Sequence, residues 1–349
     1  MWLVGVRDLQ YRRRRFLIAI FATAVVFSMT ILMSGVSHGL DVEAESIVDS
    51  FDASSWVVAR GASGPFTASK FLSSTTDVAR VAALPGVREA APVVVARATV
   101  GSTSLTDVNL IGFVPGGLGA PQIEEGKPAT RAGEVVVDSK LGVDVGDRIL
   151  VSGRPERVVG KTGNLRFNFG VNTVFLTMKD AQSLVFSGQT LASGVITRGF
   201  PRSAPPGLRV MTNEQVVSDI GRTLKSGKQT IDIVKYMLWA VAAGIVASMV
   251  YLTALERVRD FAVLKATGTS NGVLLGALTF QAVGMSLGAA VVAVVIALLL
   301  APLFPFQLAI TGSAYVLLGI LAVVVGLLAS LAGLRRAVSV DPASAFGGA

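Results

Sequence analysis

The sequence predicts a membrane α-helical protein with four transmembrane helices (1+3) plus an extracytoplasmic α+β domain on helical stalks. Three observations point there. Residues 16–37, 236–255, 273–301 and 314–334 are uncharged and apolar, each of roughly 20 residues or more, enough to cross a ~30 Å hydrocarbon core. Residues 41–235, between the first and second runs, are polar and numerous enough for a folded domain. Basic residues gather on one side of the short flanks. The expected divisions are 1–15, 16–40 (first span), 41–235 (domain and stalks), 236–255, 256–272 (loop), 273–301, 302–313 (loop), 314–334 and 335–349.

Taken in order, residues 1–10 can form a short amphipathic helix with Trp2, Leu3, Val6 and Leu9 on one face, lying in the membrane interface. It leads through the arginines at 12–15 into the first span. Arg13-Arg14-Arg15-Phe16-Leu17 imitates a twin-arginine export signal. The apolar run of about 22 residues is too long for a cleaved signal, and Ala22-Thr23-Ala24 falls inside it, so a retained anchor is expected. Beyond the span the helical period persists through Leu40, Ala44, Ile47, Val48 and Phe51. Ahead of the second span, Thr212 or Asn213 can cap a helix through Val216, Val217, Ile220 and Leu224, which Gly221, Ser226 and Gly227 weaken enough to allow a break. These segments read as stalks or as ordinary surface helices of the domain. Within the domain, residues 90–100, 134–138, 148–151, 157–159 and 172–176 are Val- and Ile-rich strands bounded by Gly or Pro, while 75–84 and 179–186 read as short helices. That is an α+β pattern without a long βαβ series.

Several chemistries are excluded. The chain has no cysteine, which removes disulfides, thiol catalysis and Cys-zinc sites. Its single histidine, His38, reads as an interfacial residue. The carboxylates match no hydrolase motif, and Glu124-Glu125 reads as solvated loop. Gly160-Lys161-Thr162 imitates the end of a phosphate-binding loop, but Pro155 stands where a glycine is needed, so it reads as a strand–turn feature. No nucleotide site and no cofactor are expected in this chain.

Orientation follows from the flanks. Arg7 and the arginines at 12–15 precede the first span, Arg257, Arg259 and Lys265 lie between the second and third, and Arg335 and Arg336 follow the fourth. Residues 302–313 carry no charge. The positive-inside rule then places both termini and residues 256–272 in the cytoplasm and the domain outside. The domain's 21 Lys/Arg and 19 Asp/Glu nearly balance, and long domains are exempt from the rule. The formal +8 of the whole chain is therefore mainly flanking charge suited to anionic lipid, and no basic patch interleaved with aromatics points to nucleic acid.

Residues 255–268 read as one short helix stopped by Gly268. Val258, Phe261 and Ala262 share one face; Glu256, Arg259 and Asp260 share the other. Such a helix either transmits force to a partner beneath the membrane or merely connects two spans, and the residue pattern leaves both open.

With these residues the chain resembles the FtsX/MacB-type permease family of ABC transporter systems, whose cytoplasmic stretch has the form E-R-x-x-E-x-x-v-L-K/R-A-x-G. Glu256, Arg257, Leu264, Lys265, Ala266 and Gly268 match; Asp260 replaces the usual glutamate and Thr267 a usual apolar residue. Gly133-Glu134-Val135-Val136-Val137-Asp138, with Leu141-Gly142 and Val145-Gly146-Asp147, is similar to the family's domain motif, as is Leu84-Pro85-Gly86-Val87 with Ala91-Pro92. The resemblance covers the whole chain.

It implies a permease subunit of the bacterial cytoplasmic membrane, without its own ATPase. Cytoplasmic ABC ATPase subunits would hold ATP and Mg, and a second permease subunit, identical or related, would complete the complex. Glu256, Arg257, Val258, Arg259, Asp260, Phe261, Leu264, Lys265 and Gly268 would couple to the ATPase. The implied work is export or mechanotransmission in the cell envelope, on a lipophilic substrate or an envelope protein. An importer permease for a small nutrient such as an amino acid, and a non-transporting anchor for envelope partners, are the alternatives; the large integral domain argues against the importer.

Overall fold

The computed structural model describes residues 13–102, 104–256, 263, 268–304 and 308–338. The chain divides into two compact units. One holds Gly39–Ser226; the other holds the chain before Gly39 and after Ser226. The first unit thus ends nine residues short of the expected boundary at Lys235, inside an unbroken helix.

Helix α1 (Arg13–Asp49) runs out of the first apolar segment without interruption. The sheet domain follows as β1 (Ser55–Ala59), β2 (Leu72–Ser73), α2 (Thr76–Ala82), β3 (Glu89–Val100), β4 (Thr106–Phe113), β5 (Glu125–Gly126) and β6 (Glu134–Asp138). It continues as β7 (Arg148–Val151), β8 (Arg154–Thr162), β9 (Thr173–Thr177), α3 (Met178–Val185), β10 (Leu191–Ala192), β11 (Gly194–Arg198) and β12 (Leu208–Met211). Among the described residues one mixed sheet takes the order β12-β1-β11-β3-β4-β9-β6-β8-β5, with β7 pairing β3 and β8; β2 and β10 form a separate pair. Strands β4 with β9 and β6 with β8 are parallel.

The central strands are buried along nearly their whole length, which is why β6 and β9 read as continuous apolar runs rather than alternating ones. Val94, Leu110, Val135, Val137, Val174 and Leu176 gather under Ala181 of α3. Helix α3 approaches β4 so closely that a Cβ at Gly112 would stand 2.3 Å from the Cβ of Ala181. A second cluster sets Val57, Val195 and Leu208 against Leu72 and Val81.

The structure departs from expectation in four places. Strands β1, β4, β11 and β12 carry no sequence expectation; β1, β11 and β12 depend on distant partners, β1 pairing with β11 and β12, for example, whereas β4 pairs with its neighbour β3. Residues 157–159 are the middle of the longer β8. Glu125 is not loop but an exposed strand residue whose pairing with Lys161 extends the sheet edge. Helix α4 (Asn213–Glu256) passes Gly221, Ser226 and Gly227 unbroken. Each glycine costs about 1 kcal/mol, and burial of Val216, Ile220 and Leu224 outweighs that.

Helices α5 (Asn271–Leu300) and α6 (Gly312–Val338) follow, so among the described residues four helices are long and apolar enough to cross a membrane. Ala24, Phe27 and Ile31 of α1 meet Ala242 and Val246 of α4, with Ala282, Ala289 and Ala322 from the last two helices, in one small-residue core. A Cβ at Gly326 would fall 2.7 Å from the Val283 backbone. Residues 308–310 tuck against α1, where the Ala309 N–H donates to the Gly35 carbonyl (3.2 Å).

Candidate functional site

The predicted coupling residues stand at the loop between α4 and α5. Glu256 is the last residue of α4. Gly268 takes a left-handed φ of 89°, a conformation that side-chain-bearing residues resist. Arg257, Val258, Arg259, Asp260, Phe261, Leu264 and Lys265 lie outside the described residues. The same holds for the expected helix over residues 1–10 and for the chain beyond residue 338.

The described part of the site lies at two joints, where α1 and α4 are wired into the sheet domain. In α4, Asp219 is fully buried. Its carboxylate accepts from the backbone N–H of Phe66 (3.3 Å) and Thr67 (3.2 Å) and from the Thr67 hydroxyl. Gly64 makes the approach possible, since a Cβ there would stand 2.1 Å from the carboxylate. Asn213, at the start of α4, accepts from the Trp56 indole N–H (3.0 Å) and donates to the Ala53 carbonyl (3.0 Å), just past the end of α1.

In α1, buried Glu43 accepts from the Gly170 N–H (3.1 Å). That glycine ends a run of three left-handed residues, Asn168, Phe169 and Gly170. Asn109 of β4 holds the loop from below, donating to the Phe167 (3.2 Å) and Val171 (2.9 Å) carbonyls and accepting from the Asn168 amide (3.2 Å). Charge-assisted bonds of this kind are about twice as strong as neutral ones, and losing one partner leaves the others unsatisfied.

Neither joint acid was among the expected site residues, yet both had a signal. Glu43 lies on the stripe of Leu40, Ala44 and Ile47, and Asp219 on that of Val216 and Ile220. An acid three residues along an otherwise apolar helix face is either solvated or held by a distant partner, and here it is held.

A further group of charges lies at the Arg154 end of β8. Arg154 bonds Asp180 (2.8 Å) and stands 3.1 Å from Glu156. Asp180 also accepts from the Gly133 N–H (3.2 Å) and the Thr177 hydroxyl (2.8 Å). Glu156 is 1% exposed and makes no hydrogen bond among the described residues. Burial, reinforced by the Asp180 charge and only partly offset by Arg154, pushes its carboxyl up to about 7. Lys161, of the apparent phosphate motif, is bound to Asp144 (2.8 Å). Gly160 is needed for sheet-edge geometry, since a Cβ would meet the Lys127 carbonyl oxygen at 2.4 Å. Among the described residues no cluster of His, Asp or Glu could hold a metal ion. Each joint ties one helix to the domain loops through a buried acid.

An apolar helix bundle whose first two helices continue into a folded sheet domain is the architecture of a membrane permease. Residues 16–216 match the MacB-like periplasmic core domain, and residues 233–342 match the FtsX-like permease C-terminal family. Two proteins of Mycobacterium tuberculosis, each described as an uncharacterized ABC transporter permease, are 43% and 42% identical over the full length of both chains. A Staphylococcus epidermidis protein, assigned by name to a hemin transport system as permease HrtB, is 20% identical over 98% of each chain. Among solved structures, the extracellular domain of the noncanonic ABC-type transporter YknZ from Gram-positive bacteria has a TM-score of 0.34 at 14% identity, covering 45% of this chain and 99% of that one. The periplasmic region of MacB from Actinobacillus actinomycetemcomitans has a TM-score of 0.35 at 10% identity, covering 50% and 95%. The chain belongs to the FtsX-like, MacB-type family of ABC transporter permeases.

Proposed function

We propose that this permease couples ATP hydrolysis by a separate cytoplasmic ABC ATPase to movement of its sheet domain, which lies outside the membrane, in export or mechanotransmission across the cell envelope. The observation that carries the reading is the pair of unbroken helices, α1 and α4. Each continues from an apolar segment into the domain and is fixed there through a buried acid, Glu43 or Asp219. A helix tied in this way passes on a tilt or a rotation instead of absorbing it. Residues 256–268, whose sequence resembles the family's cytoplasmic stretch, are the place for the ATPase to act. Both termini and that loop are cytoplasmic in this reading, on the strength of the flanking arginines. The active unit holds two permease subunits with two ATPase subunits.

Purification of the tagged chain from its native membrane in mild detergent tests the partner: an ABC ATPase should accompany it. Its absence in every nucleotide state would favour a non-transporting anchor. Single cysteines at Ser152 and Ser270, both exposed, test the orientation in an otherwise cysteine-free chain. An impermeant thiol reagent on intact cells should label S152C and spare S270C; the reverse pattern would invert the topology.

A further inference from the structure

Helices α1, α4 and α6 enclose a cavity of about 60 Å³ at the bundle end opposite Gly268, lined by Thr30, Ser34, Lys235, Trp239, Leu318 and Leu321, among others. Through Ser34, Ala314 and Leu317 it continues into an open groove of about 500 Å³ along Val316 and Ile320. Ala314, Leu317 and Leu321 stand on successive turns of α6, so the space runs about 10 Å along the helix. Its rim is polar: Thr311 and Ser313 share a hydroxyl contact (2.9 Å), and the Lys235 ammonium is held by Asp232 (2.6 Å). Its lower wall is apolar, and Val316, Leu317 and Ile320 face outward as lipid-exposed residues do.

One group in this space lacks what it needs. The Trp239 indole N–H is buried and has no acceptor among the described residues, whereas the indole of Trp56 is satisfied by Asn213. An indole nitrogen can only donate, and a buried donor without an acceptor is unfavourable. Lys235 is already neutralised by Asp232, so the site does not select a free anion. It selects an acceptor oxygen attached to a hydrocarbon chain.

We propose that this cavity and groove bind one diacyl phospholipid of the surrounding leaflet. An ester carbonyl accepts from the Trp239 N–H, and an acyl chain lies along Val316, Leu317 and Ile320. The proposal requires neither the ATPase nor a given orientation of the chain.

The test uses the full-length purified chain in mild detergent and counts retained lipid by native mass spectrometry. It titrates two phosphatidylglycerols with the same chains, one a diester and one a diether that lacks the carbonyls. The wild-type chain should hold one diester molecule about tenfold more tightly than the diether. Trp239→Phe should erase that preference, and Leu317→Trp, which fills the passage between cavity and groove, should lose both lipids. Equal binding of diester and diether by the wild-type chain, or a preference that survives in W239F, would overturn the proposal. So would equal competition by inorganic phosphate. The wild-type comparison needs no substitution, so it decides even where a variant fails to fold.

Discussion

In the sheet domain Asp138, Asp180 and Asp219, each at most 2% exposed, accept hydrogen bonds from backbone N–H groups or fixed side chains. In the helix bundle the Thr23 and Ser286 hydroxyls and the Gln281 amide nitrogen are comparably buried, but none has a partner among the described residues. These domain acids are thus tied by directional bonds to other segments, while the Glu156 and Thr173 side chains of the same domain make none among the described residues. The bundle packs through alanines and the close pass of Gly326 over Val283, with a Thr279–Ser330 hydroxyl bond (3.1 Å) between α5 and α6. Directional bonds resist shear, and small smooth side chains permit it.

The strongest way to break this contrast is Asp219→Ala. It removes the acceptor for three donors at the α4 joint and should destabilise the domain by about 3 kcal/mol. Thermal unfolding of the full chain in detergent, with protease sensitivity at the segment around Thr67, measures it. An unchanged midpoint would mean the joint is dispensable. Gly326→Val probes the bundle instead. Its side chain would meet the Val283 backbone, and overpacking of this kind costs about 1–3 kcal/mol. The loss should appear as weakened packing between α5 and α6, read by disulfide trapping of cysteine pairs placed across them, with domain protease resistance retained.

A pH series sharpens the electrostatic side. The Glu156 carboxyl has an ordinary value of 4.5 and about 7 in the folded chain, so between those values the folded state holds the extra proton. Stability from this group therefore falls as pH rises from 4.5 to 7 and stays lowered above 7. The total is on the order of 3 kcal/mol. Glu156→Gln should flatten that part of the profile, so that the variant gains on the wild type at pH 8 and loses the advantage near pH 4. Parallel profiles would show that Arg154 neutralises Glu156 fully.

Substitution in the loop should have the smallest effect on stability and a large one on function. Reversing Glu256 and Arg259 together leaves the spans and the domain intact but should uncouple ATPase activity in the reconstituted complex. Gly268→Val should do so too, because its φ of 89° strains a β-branched residue. Wild-type coupling in both variants would reduce residues 256–268 to a connector.

Much of the architecture was legible because it rests on local pattern. The four apolar runs announce α1 and α4–α6 by length, and β6 and β7 fall at the residues the Val- and Ile-rich pattern marks. What was not legible depends on distance. Strand β4 carries Asn109 and Gly112 in its middle, which spoils its apolar pattern; both are there for tertiary reasons, one to hold the loop at Phe167 and the other to admit Ala181. Glu43 and Asp219 find their partners 127 and 153 residues away, so local reading sees an acid on an apolar stripe and not a joint. Helix α4 stays whole because burial on one face overrides its glycines, a balance that propensity alone does not show.

If α4 carries motion from the ATPase to the domain, as proposed, a distance measured across it will show the transfer. With Ser203, in the domain, and Ser270, both exposed, replaced by cysteine and spin-labelled, the separation between the two labels in the ATPase-bound complex should change on ATP binding. Adding Ser226→Pro breaks α4 between its two units, at a helix cost of about 3 kcal/mol. The ATP-dependent change should disappear in that variant while the ATPase remains bound and active. An ATP-dependent change that survives the broken helix would contradict it, as would a domain that never moves in the intact complex.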